Sequence, residues 1–236
     1  MGTWIIIGTL SLAAIIWFLL KGLSSPRWKA RVLLTAYQAC KESGASETEC
    51  LFQMFDTRPP WNTLPKIFLR ELATRLGTPE NILKFVLLSE GTGILQTNIL
   101  GKSFSVEHNP EFAIGGVVAA VVSRANALGN QREFRGARDV LELALLLNPG
   151  FSTAWASMAK AAFEMKDYQT ALYWADRVLN YVPNPNSEDP WERAAADVMA
   201  PGGGKKAAEL LGEPEMADAC EQVQQQMKAI KRACSE

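Results

Sequence analysis

Histidine is almost missing from this chain: His108 is the only one in 236 residues. A histidine-rich metal centre is excluded by that count, and imidazole chemistry would rest on one side chain. Cysteine is sparse too. Cys40, Cys50, Cys220 and Cys234 form no C-x-x-C pair, so zinc-ribbon and thioredoxin-type motifs are absent. Four ordinary thiols is the simplest reading; a Cys40–Cys50 disulfide would need an oxidising compartment. Charge of one sign is also lacking, with 24 basic and 25 acidic residues and a net charge of −1. Nucleic-acid binding usually requires a basic face, so no nucleic acid is expected as a partner.

Catalytic signatures are missing as well. No G-x-S-x-G, H-E-x-x-H or EF-hand loop occurs, and each of those chemistries depends on its spacing. Gly101-Lys102-Ser103 ends like a phosphate-binding loop, but Gln96 stands where that loop needs its first glycine. Gly202-Gly203-Gly204-Lys205-Lys206 reads as a flexible linker. His108 beside Glu107 has the chemistry of a general base, but a lone surface histidine is the commoner outcome. The chain is therefore expected not to be an enzyme and to need no metal or cofactor.

What the sequence does contain begins with an apolar run. Trp4 to Leu20 reads WIIIGTLSLAAIIWFLL without a charge. As a helix its 17 residues reach about 26 Å, the short end for a bilayer crossing. Each central Ile, Leu or Phe favours insertion by roughly 0.3–0.6 kcal/mol, and indoles at both ends suit the interface. A cleaved signal peptide would show basic residues before the run and a small-x-small site after it, and neither is present. The start also lacks the serine or threonine of a myristoylation site. Lys21, Arg27, Lys29 and Arg31 follow the span. Positive residues tend to stay cytoplasmic, so a single-pass membrane protein with a cytoplasmic body is expected.

Beyond Pro26 the pattern is helical. Trp28, Val32, Leu33, Ala36, Tyr37 and Cys40 recur at three-to-four spacing, one face of a helix. Ser46-Glu47-Thr48-Glu49 is a capping-box sequence ahead of Cys50, Leu51, Met54 and Phe55. Asp56 to Pro60 breaks the chain. Leu64, Ile67, Phe68, Leu72 and Leu76 mark a further helix stopped by Gly77. Thr78 and Pro79 then open another, by a cap and a first-turn proline. Residues 91–109 are irregular. ILQTNIL and SFSV within them read as short strands or as connector, and a functional loop is equally open.

A repeat follows. Pro149 and Pro183 are 34 residues apart. Val121, Ala125 and Leu128, then Phe134, Ala137, Leu141, Ala144 and Leu145, mark one helix pair. Trp155, Met158 and Ala159, then Tyr168, Ala171, Leu172, Val178 and Leu179, mark a second. The pairs Ala125/Ala159 and Ala137/Ala171 are small where paired helices would cross closely. The span Phe151 to Pro183 resembles the tetratricopeptide repeat, whose period is 34 residues. The span 118–149 resembles it less closely, since Arg124 replaces a usual leucine and Arg138 follows the key alanine. The fold class expected is all-α: a transmembrane anchor over 1–25, a helical domain over 26–110, two repeats over 111–185, and a linker with a capping helix over 186–236. Two repeats are few for a stable stack, so neighbouring helices must cap them. The last helix offers Met216, Cys220, Val223, Met227, Ile230 and Cys234 at 4-3-4-3-4 spacing. Docking on the repeats is favoured over self-association, because fewer than three heptads is short for a coiled coil.

The resemblance also implies a site. The first helix of each tetratricopeptide unit lines a groove that takes protein or peptide partners. Carried across, those positions are Val122, Asn126, Gly129 and Asn130, then Thr153, Ala156, Lys160, Phe163 and Glu164. Val122 and Ser157 depart from the family's carboxylate-clamp pattern, so chaperone tails are not expected there. Lys160 with Phe163 suits a peptide with an acidic and an apolar anchor. The alternative is that Phe163 packs under the C-terminal segment and the groove is self-occupied. The function implied is a membrane-tethered scaffold or adaptor. An accessory structural subunit of a larger membrane complex is the alternative.

Overall fold

The computed structural model describes residues 25–57, 61–92, 110–181, 186 and 215–235. Among these, nine helices and one 3-10 turn carry the secondary structure, with no strand. They are α1 (Pro26–Glu42), α2 (Glu47–Asp56), the 3-10 turn Trp61–Thr63, α3 (Lys66–Leu76), α4 (Pro79–Thr92), α5 (Pro110–Asn130), α6 (Phe134–Leu147), α7 (Ser152–Glu164), α8 (Tyr168–Leu179) and α9 (Glu215–Ser235). The fold is all-α. Expectations for the apolar run 4–20, for 93–109 and for 187–214 fall outside the described residues. No described helix is long and apolar enough to cross a membrane. The chain divides into two compact units between Gly91 and Thr92.

In the first unit, local chemistry sets each helix end. Ser25 caps α1 by accepting the Trp28 N–H, with Pro26 in the first turn. Ser46 accepts the Glu49 N–H at 3.3 Å and opens α2. Gly77, at φ +70°, ends α3 in the left-handed conformation and donates its N–H to the Ala73 carbonyl. Thr78 then accepts the Asn81 N–H and starts α4. Glu47 closes the α1–α2 turn by accepting from both Tyr37 and Lys41. Those two donors, Lys41 first, hold its carboxyl below the ordinary range.

The core of this unit forms around a residue that hydrophobic spacing passes over. Trp61, just after Pro59-Pro60, is fully buried and packs its ring on Phe55 at 5.1 Å and Phe85 at 5.6 Å. The 3-10 turn makes this possible by aiming the indole inward. Two expected core residues lie outside instead: Trp28 is 41% exposed and Ile67 61%. The buried stripe of α3 is Phe68, Leu69, Leu72, Ala73 and Leu76. Ile67 sits about 100° around the helix from Phe68 and faces solvent. On α1 only Leu33 is fully buried, so most of the predicted apolar face is shallow.

In the second unit α5 pairs with α6, α6 packs on α7, and α7 pairs with α8. The first helices of the two hairpins, α5 and α7, also touch. The 34-residue offset recurs in the backbone. Glu133 donates to Leu128 O and Asp167 to Ala162 O, each at 2.9 Å. Arg132 donates to Gly129 O and Lys166 to Phe163 O, again at 2.9 Å each. Between them Arg132 and Lys166 take φ +64° and +63°. These are two copies of one left-handed helix stop. Ala125, Ala137, Ala159 and Ala171 are all buried, which lets the paired backbones approach.

The last helix docks inside the chain. Met227 and Ile230 of α9 are buried against Ala159, Ala162, Ala171 and Ala175, with Cys234 packed beside them. Lys231 pairs with Asp176 at the edge. The C-terminal half of the heptad-like seam is therefore used within the chain, while the side chains of Met216 and Cys220 lie outside the described residues. Tyr168, expected in the core, is 46% exposed. It heads the second helix of the second hairpin, and among the described residues no further hairpin covers it.

Candidate functional site

Helices α5, α6, α7 and α8, with α9 alongside, line a cavity of about 710 Å³. Its deep surface comes from buried Ala125, Ala137, Leu141 and Ala161. Its exposed margin carries Asn126, Asn130, Thr153 and Lys160, with Gln224 and Gln226 from α9. Among the described lining residues Lys160 is the one charged group. Among its described residues the cavity thus has an apolar base, a rim of amide and hydroxyl groups, and a single cation.

Secondary structure places these groups. Asn126, Gly129 and Asn130 lie on one face of α5, three and four residues apart. Thr153, Ala156, Ser157 and Lys160 do the same on α7. A side-chain hydrogen bond joins the two walls, the Ser157 hydroxyl donating to Asn126 Oδ1 at 2.8 Å. The wall formed by α7 is fixed at its start, where Trp155 Nε1 donates to Pro149 O at 2.9 Å and the indole meets Tyr181 edge-on at 4.8 Å. Tyr181 itself lines the cavity. Arg177 lies over the Trp155 ring at 4.4 Å.

The turn behind the site is polar. Asp167 caps α8 by accepting the Thr170 N–H at 3.3 Å, and its other oxygen meets Arg138 at 3.4 Å. The Thr170 hydrogen bonds first, then Arg138, hold the Asp167 carboxyl below its ordinary range. Arg138, which departs from the repeat pattern, therefore links the first hairpin to the turn of the second.

The cavity gathers most of the positions inferred from the sequence: Asn126, Gly129, Asn130, Thr153, Ala156 and Lys160 all line it. Three do not. Val122 is buried at 2% exposure, because α5 is packed against both α6 and α7 along its middle turns. Phe163 is half-buried and packs on the alanine cluster that also receives α9, its ring 5.9 Å from Tyr168. Glu164 is exposed at the end of α7, away from the lining. Contributions from Tyr181, Val178, Val223, Gln224 and Gln226 were not anticipated. Val178 and Val223 carried a signal, as members of the second helix pair and of the α9 seam; nothing in the linker spacing shows where α9 lands. Among the described residues no cluster of His, Cys, Asp and Glu has the makings of a metal site.

No family model, no curated protein and no solved structure matches this chain.

Proposed function

We propose that the chain is a membrane-tethered scaffold whose second unit holds a short segment of a partner protein in the cavity between α5, α6, α7, α8 and α9. The carrying observation is the cavity itself, with an apolar base, an amide-rich rim and Lys160 as the only charge among its described lining residues. Such a surface suits an extended or single-turn peptide that buries one apolar side chain and presents one carboxylate. The resemblance to tetratricopeptide repeats supports the same reading, and so does the recurrence of the helix stop at Arg132 and Lys166. The uncharged run 4–20 supports a tether, which would raise the partner's effective concentration at the membrane.

The test uses the full chain extracted in mild detergent, with a photo-crosslinking residue at Asn130 or Thr153 and, as control, at Glu164 outside the cavity. One partner should be trapped from the first two positions and not from the third. Lys160→Glu should cut its capture at least tenfold while circular dichroism stays unchanged. Equal trapping from all three positions, or full capture by a well-folded Lys160→Glu chain, would rule the cavity out. Sizing of the same extract separates the accessory-subunit alternative, which requires a stable large assembly.

A further inference from the structure

The fold leaves a basic and aromatic face of α1 unused. Trp28 is 41% exposed, and its ring has no aromatic or cationic partner among the described residues. Arg27 and Arg31 flank it, both exposed. Position 31 lies three residues after 28, so Trp28 and Arg31 share one side of the helix. Lys29, between them in sequence, is used differently: it turns to Glu90 of α4 and pairs with it at 2.6 Å. Among the described residues, Arg27 and Arg31 have no acidic partner, and the first turn of α1 holds no acid. Cations near the start of a helix oppose its dipole, so these arginines do not serve helix stability.

Chain length indicates what covers them. Ser25 lies five residues beyond Leu20, the last residue of the apolar run. Five residues reach at most about 17 Å when fully extended. With the run in a bilayer, α1 must begin close to the headgroup layer, where indole rings settle. Anionic headgroups attract each nearby lysine or arginine.

We propose that Arg27, Trp28 and Arg31 form a docking face for anionic lipid headgroups, with the guanidinium groups on lipid phosphates and the indole at the interface. This rests on the tether reading given above and adds a lipid preference to it. The face would lay the start of α1 along the membrane surface.

The test uses the full chain in vesicles of neutral phosphatidylcholine, with or without phosphatidylglycerol. Tethering is read separately, as resistance to alkaline carbonate extraction. Docking is read as quenching of Trp28 emission by a headgroup spin label, Trp28 being isolated as the difference between the native chain and Trp28→Phe. Quenching is expected in anionic vesicles and should weaken in neutral ones. Neutralising the arginines (Arg27→Gln with Arg31→Gln) should reduce the apparent affinity for anionic lipid by roughly fivefold each. The charge-keeping pair Arg27→Lys with Arg31→Lys should retain it. A carbonate-resistant chain whose Trp28 is unquenched, or is quenched equally in both vesicles, overturns the docking face and spares the tether. Release by carbonate overturns both. The comparison between vesicles needs no variant beyond Trp28→Phe at an exposed position, so it stands even where the arginine variants lose helix.

Discussion

Arg132 and Lys166 hold left-handed backbone at +64° and +63°, positions where glycine is the usual occupant. A side chain there carries a steric cost that glycine avoids, partly offset by the greater freedom glycine has when unfolded. Arg132→Gly and Lys166→Gly are each expected to stabilise the protein by about 0.5–1 kcal/mol. Thermal melting would show a rise for glycine and none for alanine at the same sites; a fall with glycine would refute the strain argument. Cys50 is a second residue-scale case. Burial first, then the Cys40 thiol beside it, pushes its pKa up to about 11. At pH 8 its thiolate fraction is then on the order of a thousandth, so the native chain should be alkylated at Cys40 well before Cys50. Mass spectrometry of partly alkylated protein checks this, and early labelling of Cys50 would contradict its burial. The raised value also has a sign: the protonated thiol favours the folded state below the ordinary thiol range, and that contribution fades as pH climbs towards 11. Asp167 runs the opposite way. Its lowered carboxyl supports the fold above the ordinary carboxylate range and loses that effect as pH falls through its depressed value. The Cys50 shift was not legible in the sequence, because it comes from burial and from Cys40 across the α1–α2 turn, whereas the main cause at Asp167 is the cap to Thr170 three residues on.

Among the elements, those with short-range causes were legible. Ser46 before Glu49, Gly77 after Leu76, and Thr78 before Pro79 act within one turn of chain, and each helix starts or stops where they stand. Trp61 was not legible, since a 3-10 turn beside two prolines has no periodic apolar partner to announce it. Ile67 was misplaced because a three-to-four spacing tolerates one wrong member. The alanines at the hairpin crossings were legible through their 34-residue recurrence. Ala171 of α8 is fully buried against α7 and α9, and Ala171→Leu should cost about 1–3 kcal/mol by overpacking. A melt of the full chain that does not move would refute the close crossing. Met227→Ala removes the main side chain that α9 inserts among those alanines, and about 2–5 kcal/mol should be lost from its docking. Limited proteolysis should then release the C-terminal helix first, and unchanged protection would show that α9 is held elsewhere.

For the whole molecule, the positions carried over from the tetratricopeptide resemblance fall mostly on the lining of one cavity, while its remaining wall was not legible in the sequence. Six inferred positions share the lining, yet Phe163, chosen as the apolar anchor, belongs to the seat of α9. The aromatic groups that the described residues offer the cavity are Phe134, at the start of α6, and Tyr181, just past α8; the repeat spacing marks Phe134 but not Tyr181. Part of the wall belongs to α9, through Val223, Gln224 and Gln226, while the same helix is held on by Met227 and Ile230 one turn further along. A guest pressed against Val223 therefore shares its binding energy with the docking of that helix, and the exchange runs both ways by linkage. Occupancy becomes readable at the C-terminus: the fuller the cavity, the slower the tail should yield to a protease. A loosened tail should in turn release its guest sooner, which makes residues far from the rim a dial on how long a partner stays.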